Sequence, residues 1–160
     1  MKNEMKEFLA EGMNRYKQAS KVMMEFFKNT QAELQEILKR RKEWGDTFKR
    51  KEIITVKSTK FWDEYPLINA QIEGTIDGKT ARIQISINWF RSDLEYPYYS
   101  IEFYDAPEKF YKNISYEKQG KYELLDQNWL IFYPDPKDFN LDRDFNLLID
   151  EFLSAISAKK

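Results

Sequence analysis

The fold of this chain follows from residues 68–89, INAQIEGTIDGKTARIQISINW. Apolar or small residues occupy alternate positions from 68 to 76 and from 81 to 89, and polar residues lie between them. This two-residue period is typical of strands that bury one face. Asp77-Gly78 separates the two runs and suits a two-residue turn with positive backbone angles. The segment therefore predicts an antiparallel β-hairpin.

The turn also predicts the register of the hairpin. With residues 77 and 78 as the loop, Ile72 falls opposite Ile83, and the apolar residues share one face. On the other face Glu73 falls opposite Arg82, which is a favourable cross-strand pair. A slip of one residue would destroy this agreement between turn and pattern.

Other segments with strand patterns lie on both sides of the hairpin. Tyr99, Ile101 and Phe103 alternate within one of them, and Pro134-Asp135-Pro136 stops the last. With the hairpin they predict a mostly antiparallel sheet of about five to six strands. The additional predicted strands cover 51–57, 98–105, 121–125 and 129–133, and residues 114–117 are an optional further short strand.

The first 45 residues predict a long amphipathic helical segment. Apolar residues recur at alternating steps of four and three, which is the period of one helix face. Phe8, Met24, Phe26 and Leu38 widen this face, so we expect it to pack onto the sheet rather than to form a narrow coiled coil. Gly45 is expected to follow the helix end. The periodic residues are Leu9, Met13, Tyr16, Met23, Phe27, Leu34, Ile37 and Trp44.

The length of this helix leaves two readings open. A helix of about 40 residues would extend about 60 Å, whereas a compact domain of this size has a radius of gyration of roughly 15 Å. Thr30 and Glu33 have the spacing of a capping box, so we favour a break or kink near Asn29-Thr30. The alternative is a continuous helix that meets a partner, which would favour a homodimer through the N-terminal helix.

Residues 140–158 predict a closing helix that packs on the sheet. Asn140 or Asp142 can cap its first turn, and no linker divides the chain before it. We therefore predict a single α+β domain over residues 1–160, with a helical segment at 1–45, the sheet at 51–133 and the closing helix at 140–158. The apolar face of the closing helix comprises Leu141, Phe145, Leu148, Ile149, Phe152, Leu153 and Ile156.

The composition limits the chemistry of the chain. Its 160 residues include neither cysteine nor histidine, which excludes disulfides, thiolate nucleophiles and the usual imidazole base. The five glycines form no phosphate-binding loop. An enzyme that uses only Asp, Glu, Lys, Tyr or Arg stays open, but no residue is identified as catalytic and we expect no cofactor.

Acidic residues cluster near the start of the closing helix. Asp135, Asp138, Asp142 and Asp144 carry oxygen ligands that suit a hard cation. They lack the spacing and the turn glycine of a calcium loop, so helix capping and loop solvation explain them better. We therefore predict no metal site.

Charge is divided unevenly along the chain. Residues 1–57 hold 14 Lys or Arg against 9 Asp or Glu, whereas residues 58–160 hold 12 against 18. Either the two parts attract each other, or the basic part faces an acidic partner. The mixed charges of the first residues resemble neither a signal peptide nor a membrane span. We expect a cytoplasmic protein with no membrane partner.

Aromatic side chains in two loops form the first candidate binding surface. If the loops lie at the same end of the sheet, they make an acidic aromatic cluster that favours a protein or a basic peptide as partner. The alternative is that these side chains only cover the open ends of the core. The candidate residues are Phe61, Trp62, Asp63, Glu64, Tyr65, Tyr96 and Tyr98.

The second candidate surface is the basic segment 39–51, which holds seven Lys or Arg among thirteen residues. Such a segment can neutralise phosphates while an aromatic ring stacks on a base. The alternative is a solvated helix end, since cations interact favourably with a helix C-terminus. The candidate residues are Lys39, Arg40, Lys42, Trp44, Lys49 and Arg50.

These patterns favour a non-catalytic protein-interaction domain of the inhibitor, immunity or adaptor type. The small size, the lack of a catalytic set and the divided charge all point in this direction. The alternative is a nucleic-acid-binding protein that uses the basic segment.

Overall fold

A computed structural model of the chain describes residues 3–44, 51–54, 67–76, 78–89, 94, 96–104, 120–125 and 129–157. Within them the chain has the predicted α+β fold, with a long N-terminal helix, an antiparallel sheet and a C-terminal helix. The elements are α1 Asn3–Arg40, β1 Lys51–Ile54, β2 Leu67–Ile76, β3 Lys79–Asn88, β4 Tyr98–Tyr104, β5 Tyr122–Leu125, β6 Trp129–Phe132 and α2 Leu141–Ser157.

The six strands of the described residues form one sheet in the order β1-β2-β3-β4-β6-β5. In the β2-β3 hairpin, Ile72 pairs with Ile83 and Glu73 with Arg82. The predicted register is therefore confirmed. Gly78 in the turn has a φ of 76°, a left-handed angle that other residues rarely adopt. The strand predicted at 114–117 lies outside the described residues.

Helix α1 is uninterrupted from Asn3 to Arg40. A break near Asn29-Thr30 is therefore wrong, because the helical apolar period passes through this point without a change of phase. A kink at this point stays a prediction. Thr30 is buried and lies inside the helix rather than capping a new one. The α-helix ends four residues before Trp44, and Gly45 lies outside the described residues.

The chain divides into two compact units, Met1–Thr30 and Gln31–Lys160. The first unit contains the larger part of α1. The second contains the last turns of α1, the sheet and α2. Among the described residues, no helix is both long enough and apolar enough to cross a membrane.

The core of the second unit lies between the apolar face of the sheet and α2. Tyr99 on β4 stacks on Phe145 of α2 with ring centroids 4.7 Å apart, and Phe103 meets Phe152 at 5.2 Å. Burial, assisted by the charge of Asp144, raises the pKa of Tyr99 above its usual range. The packing of the C-terminal helix on the sheet is thus confirmed. Other fully buried residues of the core include Leu34, Ile37, Leu38, Ile68, Ile72, Ile83, Ile85 and Leu148.

Asn140 caps the first turn of α2. Its Oδ1 accepts a hydrogen bond of 2.9 Å from the backbone N–H of Arg143, which satisfies one of the N–H groups that have no partner within the helix. Asp142, the other predicted cap, instead pairs with Arg40.

Candidate interaction surface

One side of α1 exposes a row of large apolar side chains in the first unit. Phe8 is 73% exposed and Tyr16 is 64% exposed. The apolar side chains of this part of the predicted helix face are therefore open to solvent. We call the exposed set the α1 stripe; Val22 and Met24 lie at its edges, and its other members are Met5, Phe8, Leu9, Met13, Tyr16 and Phe26.

Apolar residues that continue the same helical period are buried where α1 belongs to the second unit. Leu34, Ile37 and Leu38 are fully buried, and Gln31 Nε2 donates a hydrogen bond of 3.0 Å to the backbone oxygen of Asn69 on β2. Residues 31–38 therefore contribute to the core in the way the sequence predicted. The residues of the α1 stripe follow the same period but are exposed.

Charged side chains are sorted along the two sides of the α1 stripe. The lysines of residues 3–30 are spaced by 4, 7 or 11 residues and the glutamates by 3, 4 or 14. Each of these spacings returns to nearly the same side of a helix with 3.6 residues per turn. Arg15, the one cation among the glutamates, pairs with Glu11. One side carries Lys6, Lys17, Lys21 and Lys28, and the other carries Glu4, Glu7, Glu11 and Glu25.

The second face of the sheet carries a ladder of polar side chains, of which Asn69, Gln71 and Gln84 are buried and Glu102 is half-buried. Asn69 Nδ2 and Gln71 Nε2 on β2 donate to Gln84 Oε1 on β3, at 2.8 and 2.6 Å. Gln84 Nε2 then donates to Glu102 Oε1 on β4 at 2.7 Å. Burial raises the pKa of Glu102, against the opposite effect of the bond from Gln84. We call these four residues the polar ladder.

A second hydrogen-bonded group continues this face along the same strands. Ser86 Oγ lies 2.8 Å from Ser100 Oγ, and Asn88 Nδ2 donates to Ser100 Oγ at 2.9 Å. All three side chains are buried. Because the bonds join β3 to β4, we assign this group and the polar ladder a structural role in holding the central strands in register.

One residue of the predicted aromatic surface, Tyr98, is not at the surface. Tyr98 is 1% exposed, and its ring centroid lies 6.3 Å from that of Tyr133, so it belongs to the interior and offers no contact to a partner. Tyr96 is half-buried and meets Phe139 edge-on at 6.5 Å. The other candidates, residues 61–65, lie outside the described residues, so the rest of the cluster stays a prediction.

Trp44 does not supply the predicted stacking surface. Its side chain is fully buried, and its Nε1 donates a hydrogen bond of 3.0 Å to the backbone oxygen of Leu38. The neighbouring Arg41 turns to α2, where Nη1 donates to Asn146 Oδ1 at 3.0 Å and Nη2 pairs with Asp150. Both residues stabilise the end of α1, and neither forms a binding surface for nucleic acid.

The other basic candidates are exposed where they are described. Lys39 pairs with Glu36 and Arg40 with Asp142, so carboxylates already neutralise these two cations. Lys42 is exposed. Lys49 and Arg50 lie outside the described residues.

Asp135, Asp138 and Asp144 line a cleft of about 490 Å³ near the start of α2. Arg143 Nε donates to Asp144 Oδ1 at 2.8 Å and Nη1 to Asp138 Oδ2 at 2.7 Å. These two bonds raise the pKa of Arg143 above its usual range. Within the described residues, no three acidic, His or Cys side chains come together in a way that suits a metal ion. The guanidinium instead neutralises Asp138 and Asp144.

Sequence reasoning missed some members of these groups. Met5 and Val22 fall outside the four-three series, although each precedes an apolar stripe residue, Leu9 or Phe26, by four positions. This spacing of four could have assigned both residues to the same helix face. The polar ladder also had a signal, since the predicted register places Gln71 directly opposite Gln84, but its burial was not expected.

We compared the chain with known proteins. No protein-family model, no curated protein and no solved structure matches it. The geometry of its own surfaces is therefore the basis for a functional assignment.

Proposed function

We propose that this protein is a non-catalytic protein-interaction domain of the inhibitor, immunity or adaptor type, and that the α1 stripe is its contact surface. The observation that carries this proposal is the exposure of eight large apolar side chains on one helix. Leaving them in water costs free energy that burial against a partner would recover.

The size of the α1 stripe supports binding. With side chains of this size, its exposed residues present roughly 800 Å² of solvent-accessible apolar surface. The largest apolar patch on a typical monomer is smaller, at roughly 300–600 Å². About 800 Å² is also what one partner contributes to an interface of standard size. Phe8 and Tyr16 are the most exposed aromatic side chains of the stripe, and such rings often supply much of the binding energy.

The alternative of nucleic-acid binding has less support. Trp44 is buried, and the cations of Lys39 and Arg40 are paired with carboxylates. The glutamate side of α1 would repel phosphates. Binding of a protein is therefore the better use of the exposed surface. We also propose a cytoplasmic location, with which a chain that cannot form disulfides is compatible.

Affinity capture with matched variants tests the proposal. Phe8→Glu with Tyr16→Glu places two charges on the α1 stripe, whereas Asn14→Glu with Gln18→Glu places the same two charges on the opposite, exposed side of α1. We expect a protein that the wild type and the control retain and that the stripe variant loses. The purified partner should then show the same order of affinities in titration.

Two results would contradict the proposal. One is a partner whose retention does not depend on the α1 stripe. The other is binding to DNA or RNA that weakens steeply with salt and that both pairs of variants preserve. Circular dichroism of each variant controls for loss of helix.

A further inference from the structure

We propose that the partner of the α1 stripe is the α1 stripe of a second copy of this chain, with the two helices parallel. This inference rests on the proposed function, because it names the partner of the same surface. It is carried by the arrangement of charges beside the stripe together with the exposed apolar area.

The apolar part of the surface suits a helix of the same kind. Residues 3–30 form about eight helical turns and extend about 42 Å, and stripe residues occur from Met5 to Phe26. Two copies would together remove roughly 1,600 Å² of surface from water, which is the area of a stable interface of standard size. A second copy presents a surface of matching length and width.

The charges suit a parallel arrangement. When identical helices lie parallel with their stripes in contact, each helix places its lysine side against the glutamate side of the other. When they lie antiparallel, lysine faces lysine and glutamate faces glutamate. Charges beside an apolar helix contact select partner and orientation in this way. Lys6 and Lys17, the lysines closest to the stripe, would therefore lie near the glutamate side of the partner.

The same charges argue against an anionic lipid surface as the occupant. Helices that lie on such membranes carry Lys or Arg around the whole polar face. Here Glu4 and Glu11 border one side of the stripe, and an anionic surface would repel them. A second copy pairs both the lysine side and the glutamate side of the stripe with opposite charges.

Sedimentation velocity over a range of concentrations measures the association. We expect a monomer–dimer equilibrium for the wild type and for Asn14→Glu with Gln18→Glu, and a monomer for Phe8→Glu with Tyr16→Glu. Lys6→Glu with Lys17→Glu should raise the dimer Kd at least about tenfold at low salt. This difference should shrink in 1 M NaCl, where the screening length is only about 3 Å.

Disulfide formation tests the orientation, because the chain contains no cysteine of its own. Leu9 lies near one end of the stripe, so Leu9→Cys brings two thiols together only in a parallel pair. We expect Leu9→Cys to form a covalent dimer under mild oxidation. Asn14→Cys, directly opposite the stripe on α1, should remain a monomer in denaturing electrophoresis without reductant.

The outcomes separate this inference from the proposed function. A wild type that stays monomeric, together with a different protein captured through the stripe, would overturn the inference and leave the proposed function standing. A dimer that survives Phe8→Glu with Tyr16→Glu would overturn the inference, and it would also overturn the proposed function if no other protein is captured through the stripe. A stripe-dependent dimer in which Leu9→Cys fails to cross-link would overturn the parallel arrangement.

Discussion

Gln84 Nε2 on β3 donates a hydrogen bond of 2.7 Å to Glu102 Oε1 on β4, which makes a carboxyl group the end of the polar ladder. Gln84 is buried and Glu102 is half-buried. Loss of water disfavours the charged form of a carboxyl group, and the pKa of Glu102 is accordingly raised above its ordinary value of 4.5. Folding therefore favours the neutral acid.

Glu102→Gln should change how stability depends on pH. Because the folded-state pKa is raised, the stabilisation from the neutral acid is fully present below pH 4.5 and is lost as the pH rises through the folded-state pKa. The free energy of unfolding of the wild type, minus that of the variant, should therefore increase when the pH is lowered from about 7 toward 4.5. Urea unfolding at both pH values measures it. A difference that is constant or that decreases would contradict the prediction.

Ile72→Asp should unfold the protein, whereas Glu73→Ala should cost little. Ile72 is fully buried on the apolar face, so the variant would place an unpaired charge in the core, at a cost of more than about 4 kcal/mol. Glu73 is only half-buried and loses one ion pair with Arg82, worth about 0.2–1 kcal/mol. Thermal melts of the two variants should differ widely, and similar melts would mean that the faces of the hairpin are assigned wrongly.

Phe145→Ala should destabilise the second unit by about 3–5 kcal/mol, because it removes a buried ring and leaves a cavity. The lost contact is the stacking on Tyr99 at 4.7 Å. Leu147→Ala, two positions along α2, removes a side chain that is 48% exposed and should cost less than about 1 kcal/mol. Urea unfolding compares them, and equal costs would show that α2 packs through a different face.

Asn140→Ala should destabilise the protein by about 1 kcal/mol, because the backbone N–H of Arg143 loses its acceptor at the start of α2. Asn140→Ser keeps a side-chain oxygen in reach of this N–H and should recover most of the loss. Differential scanning calorimetry measures both variants. If serine is as harmful as alanine, the side chain of Asn140 does not act as the cap.

Several structural features could be predicted from short segments of the chain. The hairpin register was predictable because Asp77-Gly78 and the period of two agree on one pairing, which the structure confirms. The break near Asn29-Thr30 was predicted from a local capping pattern that competes with a longer apolar period. The longer period prevails, because an unbroken helix keeps its backbone hydrogen bonds through this point.

The candidate surface was predictable only in part. The apolar period of α1 was evident, but its separation into a buried part at 34–38 and an exposed part at 5–26 was not. Both parts have the same periodicity, and nothing local distinguishes them. Likewise, Trp44 and Tyr98 are of residue types that are common at binding surfaces, yet both are buried.

Local pattern was enough to establish the hairpin register, the amphipathic character of α1 and the apolar face of α2, because turn chemistry and side-chain period act between residues that are close in the chain. Burial is different. Whether Leu34 is covered while Tyr16 is exposed, or whether a polar face of the sheet is removed from water, depends on elements far apart in sequence, so these features became visible only once the chain was folded.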